Sequence, residues 1–408
     1  MYIFKAGVVG VGFMGAEIAQ VISYAGLPVV IKDINQEILD KAMDKIRSIY
    51  QRRVDKGKMS PATMQEKLDL VIPTLSYDEF ADVDIVIEAV PEVMKIKQQV
   101  FAELDEACPP ETILASNTSA LSIQEIGSAT KRPHKVIGMH FFSPAHVMKL
   151  VEVIPSPQTD QETVDDVVRF AEELRKLPVV VKECPGFLVN RLLMPYLNEA
   201  VLCLQEGAAT AAEMDKAMTE FGWPMGPFTL MDMIGIDVCY DVGKYLYSNY
   251  GDRMTPAILF EKLYQSGRHG EKAGAGFYGY GEETDEPVKE MIKELQESGQ
   301  VATGTEFSVD RLMMAIINEA ALCAQEGIAN INDIDMACIA GLGMKVGDRR
   351  MGPLEYADEV GLDVVVQKLE ELEKKLGPRF HPVDLLYQKV KAGELGKKTG
   401  RGFMEYTT

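Results

Sequence analysis

Apolar and polar positions follow two different patterns along the first 184 residues. Short apolar runs of strand length stand at 2–9, 28–32, 71–74, 83–90, 112–116, 135–140, 149–154 and 178–181. Most segments between them carry apolar residues on one side only, which is typical of amphipathic helices. The longest of these helical segments is 36–57. Strands that alternate with helices predict an α/β fold with a mostly parallel, doubly wound sheet of the Rossmann type.

The pattern changes at Cys184-Pro185-Gly186, after which long segments rich in Ala, Leu, Met and Glu predict helices. This part of the chain repeats. RLLMPYLNEAVLCLQEG at 191–207 matches RLMMAIINEAALCAQEG at 311–327, and two further blocks match in the same order, 225–235 with 351–361 and 274–280 with 400–406. We therefore predict two all-α helical domains related by an internal duplication of about 100 residues.

These patterns divide the chain into four segments. We expect a Rossmann domain at 1–184, a first helical domain at 185–282, a linker with one short helix at 283–304, and a second helical domain at 305–408.

The first predicted strand leads into a glycine-rich turn with the spacing G-x-G-x-x-G, followed by a helix and a second strand that ends at Asp33. The turn supplies the candidate cofactor-binding residues Gly10, Gly12, Phe13, Met14 and Gly15. In such a β-α-β unit the helix N-terminus binds the pyrophosphate of a dinucleotide, and an acid after the second strand binds the adenosine ribose. Because a carboxylate at Asp33 repels a 2′-phosphate, we predict NAD rather than NADP.

Composition narrows the classes of function. The 408 residues are 47% hydrophobic and carry a net charge of −20, which argues against nucleic acid and anionic membranes as partners. No apolar run reaches the length of about eighteen residues that a membrane span needs. The six cysteines are scattered without a C-x-x-C pair, and no cluster of metal ligands stands out. We therefore expect a cytoplasmic protein with reduced thiols and no metal site.

One stretch of this acidic chain has a net positive charge. Residues 41–58 carry seven basic side chains and two acidic ones. This basic stretch is consistent with a binding site for a phosphorylated substrate and equally with a solvated helix face.

The segment GMHFFSPAHVMKLVEVI at 138–154 holds a candidate catalytic pair. His140 ends a predicted strand at the carboxyl edge of the sheet, where open α/β folds bind ligands. Glu152 follows in the next strand. A histidine held by a carboxylate can move a hydroxyl proton, so His140 is a candidate general base and Glu152 its orienting partner. From spacing alone, the two residues could also form a purely structural pair.

These motifs together resemble the L-3-hydroxyacyl-CoA dehydrogenases, in the form with a duplicated C-terminal domain. The resemblance extends over essentially the whole chain and rests on the following segments: GVGFMGAEIA from Gly10, ASNTSAL from Ala115, GMHFFSP from Gly138, KLVEVI from Lys149 and PGFLVNR from Pro185. It implies an NAD-dependent (3S)-3-hydroxyacyl-CoA dehydrogenase of fatty acid or related acyl-CoA metabolism, which interconverts 3-hydroxyacyl-CoA and 3-oxoacyl-CoA.

The resemblance also implies roles for individual residues. His140 and Glu152 match the catalytic pair, and Ser119 and Asn190 match residues that hydrogen-bond the substrate's 3-oxygen. Contacts with the cofactor are implied for Glu92, Lys97 and Asn117. The basic stretch corresponds to the arm that contacts coenzyme A, which makes Arg52, Arg53, Lys56 and Lys58 candidate phosphate ligands.

Several alternatives stay open. A related NAD-dependent dehydrogenase of a free hydroxy acid would keep the His-Glu pair without using a coenzyme A arm. A third alternative is a dinucleotide-binding protein without catalysis. The joint presence of the four candidate catalytic residues argues against it: His140, Glu152, Ser119 and Asn190. Asp310 stands in the second repeat where Asn190 stands in the first, so we expect the second repeat to be structural. The duplication is compatible with either a monomer or a homodimer.

Overall fold

The structure is a computed structural model that describes residues 2–406, and it divides into two compact units, Met1–Phe187 and Leu188–Thr408. Helices and strands of the first unit follow each other as β1 (Ala6–Val9), α1 (Phe13–Ala25), β2 (Val29–Lys32), α2 (Gln36–Asp55), α3 (Pro61–Leu68), β3 (Val71–Thr74), β4 (Ile85–Glu88), α4 (Met94–Ala107), β5 (Ile113–Ser116), α5 (Ile123–Gly127), β6 (Val136–Phe141), β7 (Leu150–Pro155), α6 (Gln161–Glu173) and β8 (Leu177–Val180).

The strands of this unit form one sheet with the order β3-β2-β1-β4-β5-β6-β7-β8. The first six strands pair in parallel, β7 runs antiparallel to β6, and β8 is parallel to β7. The order 3-2-1-4-5-6 is that of the Rossmann fold, which confirms the predicted architecture. The central strands β1, β4 and β5 are buried along their whole length, because helices cover both faces of such a sheet.

Some predicted boundaries need correction. The apolar run at 2–9 becomes a strand only from Ala6, since Tyr2 and Phe4 are 73% and 72% exposed. Helix α1 begins at Phe13, directly after the second glycine of the motif, so the last glycine lies inside the helix and not before it. Helix α6 ends at Glu173, and Arg175 beyond it has a φ of +60°.

The second unit is mainly helical. Its elements are α7 (Val189–Gln205), α8 (Ala211–Phe221), α9 (Pro227–Ile234), α10 (Ile236–Tyr250), α11 (Ile258–Gln265), α12 (Glu286–Glu297), α13 (Val309–Gln325), α14 (Ile331–Gly341), β9 (Lys345–Val346), β10 (Arg349–Arg350), α15 (Pro353–Val360), α16 (Leu362–Leu376) and α17 (Asp384–Lys391). Helices α7–α11, the first repeat, and α13–α17, the second repeat, follow each other in the same order and with matching lengths. Helix α12 occupies the segment expected to be a linker.

The second repeat contains six residues that have no counterpart in the first, and the strands β9 and β10 lie there. They pair as an antiparallel hairpin. The amide of Gly347 in the hairpin turn donates a 2.7 Å hydrogen bond to the carbonyl of Phe221, at the end of α8. The additional residues therefore connect the second repeat to the first.

Candidate active site

The glycine-rich turn lies between β1 and α1. Gly10 has a φ of +83°, a conformation that favours glycine. A Cβ atom on Gly15 would lie 2.0 Å from the carbonyl oxygen of Gly10, so only glycine allows α1 to approach the turn this closely. Gly12 is the exposed N-cap residue of α1, and no side chain caps the helix there. The first turn therefore presents backbone N–H groups and the positive end of the helix dipole.

Asp33 follows β2 at the same edge of the sheet. Its carboxylate accepts hydrogen bonds of 2.7 Å from the backbone amides of Val11 and Ile34. The carboxylate is thus fixed beside the glycine-rich turn. An uncapped helix N-terminus and a fixed carboxylate next to it fit the pyrophosphate and the ribose of a dinucleotide.

His140 and Glu152 form a hydrogen-bonded pair. They lie directly opposite each other in the antiparallel register of β6 and β7, and His140 Nδ1 is 2.8 Å from Glu152 Oε2. Both residues are buried, with 7% and 1% of their surface exposed. Because a carboxylate only accepts hydrogen bonds, Nδ1 carries the proton and Nε2 presents its lone pair.

Two aromatic rings surround the histidine. The ring of Phe142 lies 4.5 Å from the imidazole and that of Phe187 lies 6.1 Å away, measured between centroids. Phe187 adopts a φ of +49°, which is unfavourable for a bulky residue and holds it in a position it would otherwise avoid. The two rings reduce the access of water to the imidazole.

Asn117 connects two strands next to the histidine. Its backbone amide donates a 2.8 Å hydrogen bond to the carbonyl of Glu88. Its side-chain oxygen accepts a 2.8 Å hydrogen bond from the backbone amide of Phe141, the residue after His140. Asn117 thus fixes the end of β6 against β5. The sequence predicted a cofactor contact for this residue, and the structure adds a positioning contact.

Glu92 lies beside the turn that follows β5. It accepts hydrogen bonds from the hydroxyl of Thr118 at 2.6 Å and from the amide of Ser119 at 2.9 Å, and the Ser119 hydroxyl is 3.3 Å away. Burial alone would raise the pKa of Glu92, but Lys97 and these hydrogen bonds outweigh it and hold the pKa below its ordinary value. Glu92 therefore stays ionised and orders the turn that carries Ser119.

Lys97 is buried on α4, with 1% of its surface exposed. Its ammonium group lies 2.8 Å from Glu88, 3.2 Å from Glu92 and 3.3 Å from the carbonyl of Val90. These three partners match the three protons of the ammonium group. In this structure Lys97 thus acts on Glu92, and its predicted direct contact with the cofactor stays a prediction.

The candidate coenzyme A residues lie at the end of α2 and just beyond it. Arg52, Lys56 and Lys58 are exposed. Arg53 differs, because its guanidinium group stacks on the ring of Tyr24 at 4.6 Å and donates a 2.7 Å hydrogen bond to the Tyr24 hydroxyl. Three of the four predicted side chains are thus accessible to a ligand.

Asn190 belongs to the second unit. It is half-buried in the first turn of α7, next to Arg191. Its predicted contact with the substrate's 3-oxygen stays a prediction.

Sequence reasoning missed Glu17, a carboxylate on α1 that is 3% exposed. Glu17 accepts a 2.6 Å hydrogen bond from the amide of Ala145, in the loop after β6, and lies 2.9 Å from Lys45 of α2. It therefore fixes the loop that follows the catalytic strand. The signal in the sequence was the one charged residue of a helix that is mostly apolar.

Within residues 2–406, no group of three or more His, Cys, Asp or Glu residues is arranged to hold a metal ion. Over the same residues, no helix is both long and apolar enough to cross a membrane.

Comparison with known proteins identifies the family. Residues 5–184 match the NAD-binding domain of 3-hydroxyacyl-CoA dehydrogenases, and residues 186–280 and 307–406 each match the C-terminal domain of that family. The second match in the C-terminal half agrees with the repeat seen in the sequence and in the order of the helices.

Individual relatives agree with this. The fatty acid oxidation complex subunit alpha of Psychrobacter arcticus is 39% identical over 401 residues, 96% of this chain and 55% of that protein. The chain spans about half the length of such curated relatives. The crystal structure of 3-hydroxybutyryl-CoA dehydrogenase from Escherichia coli superposes with a TM-score of 0.86 at 30% identity, covering 96% of this chain and 100% of the other. That of (S)-3-hydroxybutyryl-CoA dehydrogenase from Ralstonia eutropha gives 0.67 at 38% identity, covering 69% and 100%.

The domain matches, the full-length structural relative and the dinucleotide-binding turn agree with one another: the chain belongs to the 3-hydroxyacyl-CoA dehydrogenase family of oxidoreductases, and its N-terminal domain is the NAD-binding domain of that family.

Proposed function

We propose that this protein is an NAD-dependent (3S)-3-hydroxyacyl-CoA dehydrogenase with His140 as its general acid and base. The observation that carries the proposal is the buried 2.8 Å hydrogen bond between His140 and Glu152 at the carboxyl edge of the sheet. This pair lies in the same unit as a glycine-rich turn that fits NAD.

His140 moves the proton of the 3-hydroxyl group. In the direction of oxidation, Nε2 takes the hydroxyl proton and the imidazole becomes positively charged. Glu152 stabilises that charge and keeps the ring in the tautomer that presents Nε2. NAD⁺ supplies the acceptor for the hydride that leaves carbon 3. In the reverse direction, His140 returns the proton to the 3-oxygen.

Ser119 and Asn190 would hydrogen-bond the 3-oxygen and stabilise the negative charge that develops there. The position of Ser119 depends on Glu92, because Glu92 accepts from its amide. Glu92 in turn is held by Lys97. Lys97 and Glu92 are therefore positioning residues for Ser119 in this proposal.

Coenzyme A would bind at the basic end of α2. The exposed side chains of Arg52, Lys56 and Lys58 suit phosphate groups, and we propose them as its ligands. The names of the curated relatives support a place in fatty acid oxidation, and those of the solved structures support a 3-hydroxybutyryl-CoA substrate.

The test of the proposal is the substitution His140→Gln. Glutamine keeps a polar side chain but cannot act as a general base, so we expect turnover of acetoacetyl-CoA with NADH to fall by about a thousandfold. Affinity for NADH should be unchanged, because His140 lies outside the glycine-rich turn. NADH absorbance measures turnover, and quenching of NADH fluorescence measures binding. A loss of only a few-fold would contradict the assigned role.

The alternative substrate class, a free hydroxy acid, is tested on the basic end of α2. The double substitution Arg52→Glu with Lys56→Glu should raise KM for acetoacetyl-CoA by at least tenfold and leave kcat nearly unchanged. Lys41→Glu is the matched control, since it reverses a charge on the same helix that is already paired with Glu37 at 2.6 Å. Turnover of free acetoacetate in preference to its thioester would favour the alternative.

A further inference from the structure

The loop that joins β6 to β7, residues 142–149, closes the pair of strands that carries His140 and Glu152. Its eight residues exceed the two-residue turns that fix the register of a hairpin by their own geometry. Within the loop, the amide of Val147 donates a 2.9 Å hydrogen bond to the carbonyl of Pro144. Contacts with other parts of the same unit are therefore needed to fix where this β6–β7 loop lies.

Glu17 of α1 contacts the middle of the β6–β7 loop. Ala145 is 1% exposed, so its buried amide needs an acceptor, and Glu17 Oε2 accepts its hydrogen bond at 2.6 Å. The same oxygen lies 3.5 Å from Nδ1 of His146. The carbonyl of Ala145 accepts a hydrogen bond from the ammonium group of Lys176, which also donates to the carbonyl of Met148 at 2.7 Å. Ala145 is thus fixed by a carboxylate at its amide and by an ammonium group at its carbonyl.

Glu17 also connects the loop to the glycine-rich turn. Its second carboxylate oxygen, Oε1, lies 2.9 Å from the ammonium group of Lys45 on α2. Lys45 donates a 3.0 Å hydrogen bond to the carbonyl of Phe13, the first residue of α1, and its ammonium group lies 3.6 Å from the centre of the Phe13 ring. A continuous series of contacts therefore runs from the N-terminus of α1 through Lys45 and Glu17 to Ala145.

Stability alone does not account for a carboxylate at this position. The side chain of Glu17 is 3% exposed and that of Lys45 is 28% exposed. The cost of burying two charges is often as large as the gain from their attraction, and apolar residues can replace such a pair without loss of stability. An apolar residue at position 17 would, however, leave the buried amide of Ala145 without an acceptor. The contact with the loop is therefore what the carboxylate provides.

We propose that Glu17 is a positioning residue for the pair of His140 and Glu152: it fixes the β6–β7 loop through Ala145 and so keeps the two side chains opposite each other. This inference rests on the proposed function, since proton transfer by His140 is the step that depends on this geometry. Loss of Glu17 leaves Lys45 in contact with Phe13 at the glycine-rich turn. Glu17 therefore acts on kcat and not on the affinity for NAD.

The test compares Glu17→Leu with Glu17→Gln. Leucine has a similar volume but accepts no hydrogen bond, whereas glutamine keeps an acceptor oxygen for the amide of Ala145. Because a displacement of a catalytic group by about 1 Å can cost about 100-fold, we expect kcat with acetoacetyl-CoA and NADH to fall about 100-fold in Glu17→Leu. Glu17→Gln should restore most of kcat. The KM for NADH and its affinity by fluorescence should be unchanged in both variants.

Gln20→Leu is the matched control, because Gln20 lies on the same helix and is also 3% exposed. Its backbone carbonyl accepts the hydroxyls of Ser23 and Tyr50, so its side chain can be replaced without changing these contacts. This variant should keep the wild-type kcat. Thermal melting establishes that each variant folds. If Glu17→Leu does not fold, the double substitution Glu17→Leu with Lys45→Met removes both charges of the pair and takes its place.

A spectroscopic measurement tests the positioning without turnover. In protein with ¹⁵N-labelled histidine, the NMR signal of the His140 Nδ1 proton is identified by its loss in His140→Gln. Its exchange with water should be about tenfold faster in Glu17→Leu than in the wild type, because the hydrogen bond to Glu152 opens more often. Exchange in Gln20→Leu should equal that of the wild type.

The outcomes separate this inference from the proposed function. A wild-type kcat in a folded Glu17→Leu variant would overturn the inference, while loss of turnover in His140→Gln would still support the proposed function. An equal fall of kcat in Gln20→Leu would also overturn it. If the wild type turns over no 3-oxoacyl-CoA, the proposed function is wrong; faster exchange in Glu17→Leu would then still support the positioning of His140, and unchanged exchange would overturn it.

Discussion

The two helical repeats pack against each other through a reciprocal set of buried ion pairs. Arg191 of the first repeat contacts Glu319 of the second at 2.6 Å, and Arg311 of the second contacts Glu199 of the first at the same distance. Arg191 and Arg311 are equivalent positions, as are Glu199 and Glu319. The same Arg–Glu contact therefore occurs twice, once in each direction between the repeats. Such a reciprocal pair of contacts is the pattern of a twofold interface between identical subunits. Here both halves belong to one chain.

The repeats differ on the face of α7 and its counterpart α13. Asn190 of the first repeat corresponds to Asp310 of the second, which forms a 2.6 Å ion pair with Lys368. Gly243 of the first repeat corresponds to the buried Leu369. Asp310 is thus paired with a lysine of its own repeat. The expectation from the sequence that the second repeat is structural stays a prediction.

The largest effect should come from breaking the reciprocal ion pairs. Arg311→Met leaves Glu206 with the hydroxyl of Thr305 as a donor but without its ion-pair partner, in a position where 9% of its side chain is exposed. We therefore expect a loss of about 3–5 kcal/mol in the free energy of unfolding. Arg191→Met should cost less, because its second partner Glu326 is 41% exposed. Urea unfolding followed by the fluorescence of Trp223, the sole tryptophan of the sequence, reports on the helical unit. Losses below 1 kcal/mol in both variants would show that the pairs are dispensable.

The next largest effect concerns the difference at Asn190. Asn190→Ala should lower kcat/KM for acetoacetyl-CoA by about 100- to 1000-fold, the effect expected when one donor to a developing oxyanion is removed. Asp310→Ala, its matched control in the second repeat, should change kcat/KM by less than twofold. Equal losses in the two variants would contradict the division of roles between the repeats.

The smallest effect concerns two equivalent aspartates, Asp215 of the first repeat and Asp335 of the second, whose carboxylates cap α9 and α15. Asp215 accepts hydrogen bonds from the hydroxyls of Thr229 at 2.7 Å and Tyr278 at 2.8 Å, in addition to backbone amides. In the second repeat, Glu355 takes the place of Thr229 and Met404 that of Tyr278, so neither position supplies a hydroxyl group. Burial raises the pKa of Asp335, the counterpart of Asp215, to about 7, and the negative charge of Glu355 adds to the rise.

A raised pKa in the folded state makes stability depend on pH. Below pH 4 Asp335 is protonated in both states, and between about pH 4 and 7 only the folded state keeps the proton. The free energy of unfolding should therefore fall as pH rises through this range, by about 1.4 kcal/mol for each unit of pH. Asp335→Asn, which cannot ionise, should lose correspondingly less stability between pH 5 and pH 7.5 in urea unfolding. An identical pH dependence in wild type and variant would refute this role of Asp335.

Much of the fold follows from local patterns. The alternation of apolar runs with amphipathic segments was sufficient for the order of strands and helices, because buried parallel strands and one-sided helices have different periods. Boundaries were less accurate. Tyr2 and Phe4 are apolar but exposed, and apolarity alone does not reveal which residues the core covers.

The same holds for the candidate active site: its local motifs could be predicted from the sequence, and the contacts between distant residues could not. The spacing of Gly10, Gly12 and Gly15, followed by Asp33, was enough to predict the dinucleotide-binding turn, because the whole unit is local in sequence. His140 and Glu152 were recognised as candidates, but their direct opposition depends on the register of β6 and β7. The support of Glu92 by Lys97 was not predicted, since it depends on how α4 packs against the sheet.

The sequence by itself determined the family, the cofactor, the candidate catalytic pair and the existence of two repeats, because each is encoded in short motifs or in a direct comparison of segments. Only the tertiary structure decided how the repeats contact each other, through the pairs of Arg191 with Glu319 and of Arg311 with Glu199. These contacts join side chains that are 128 and 112 residues apart in the chain. Such contacts form when helices pack, and no local pattern specifies them.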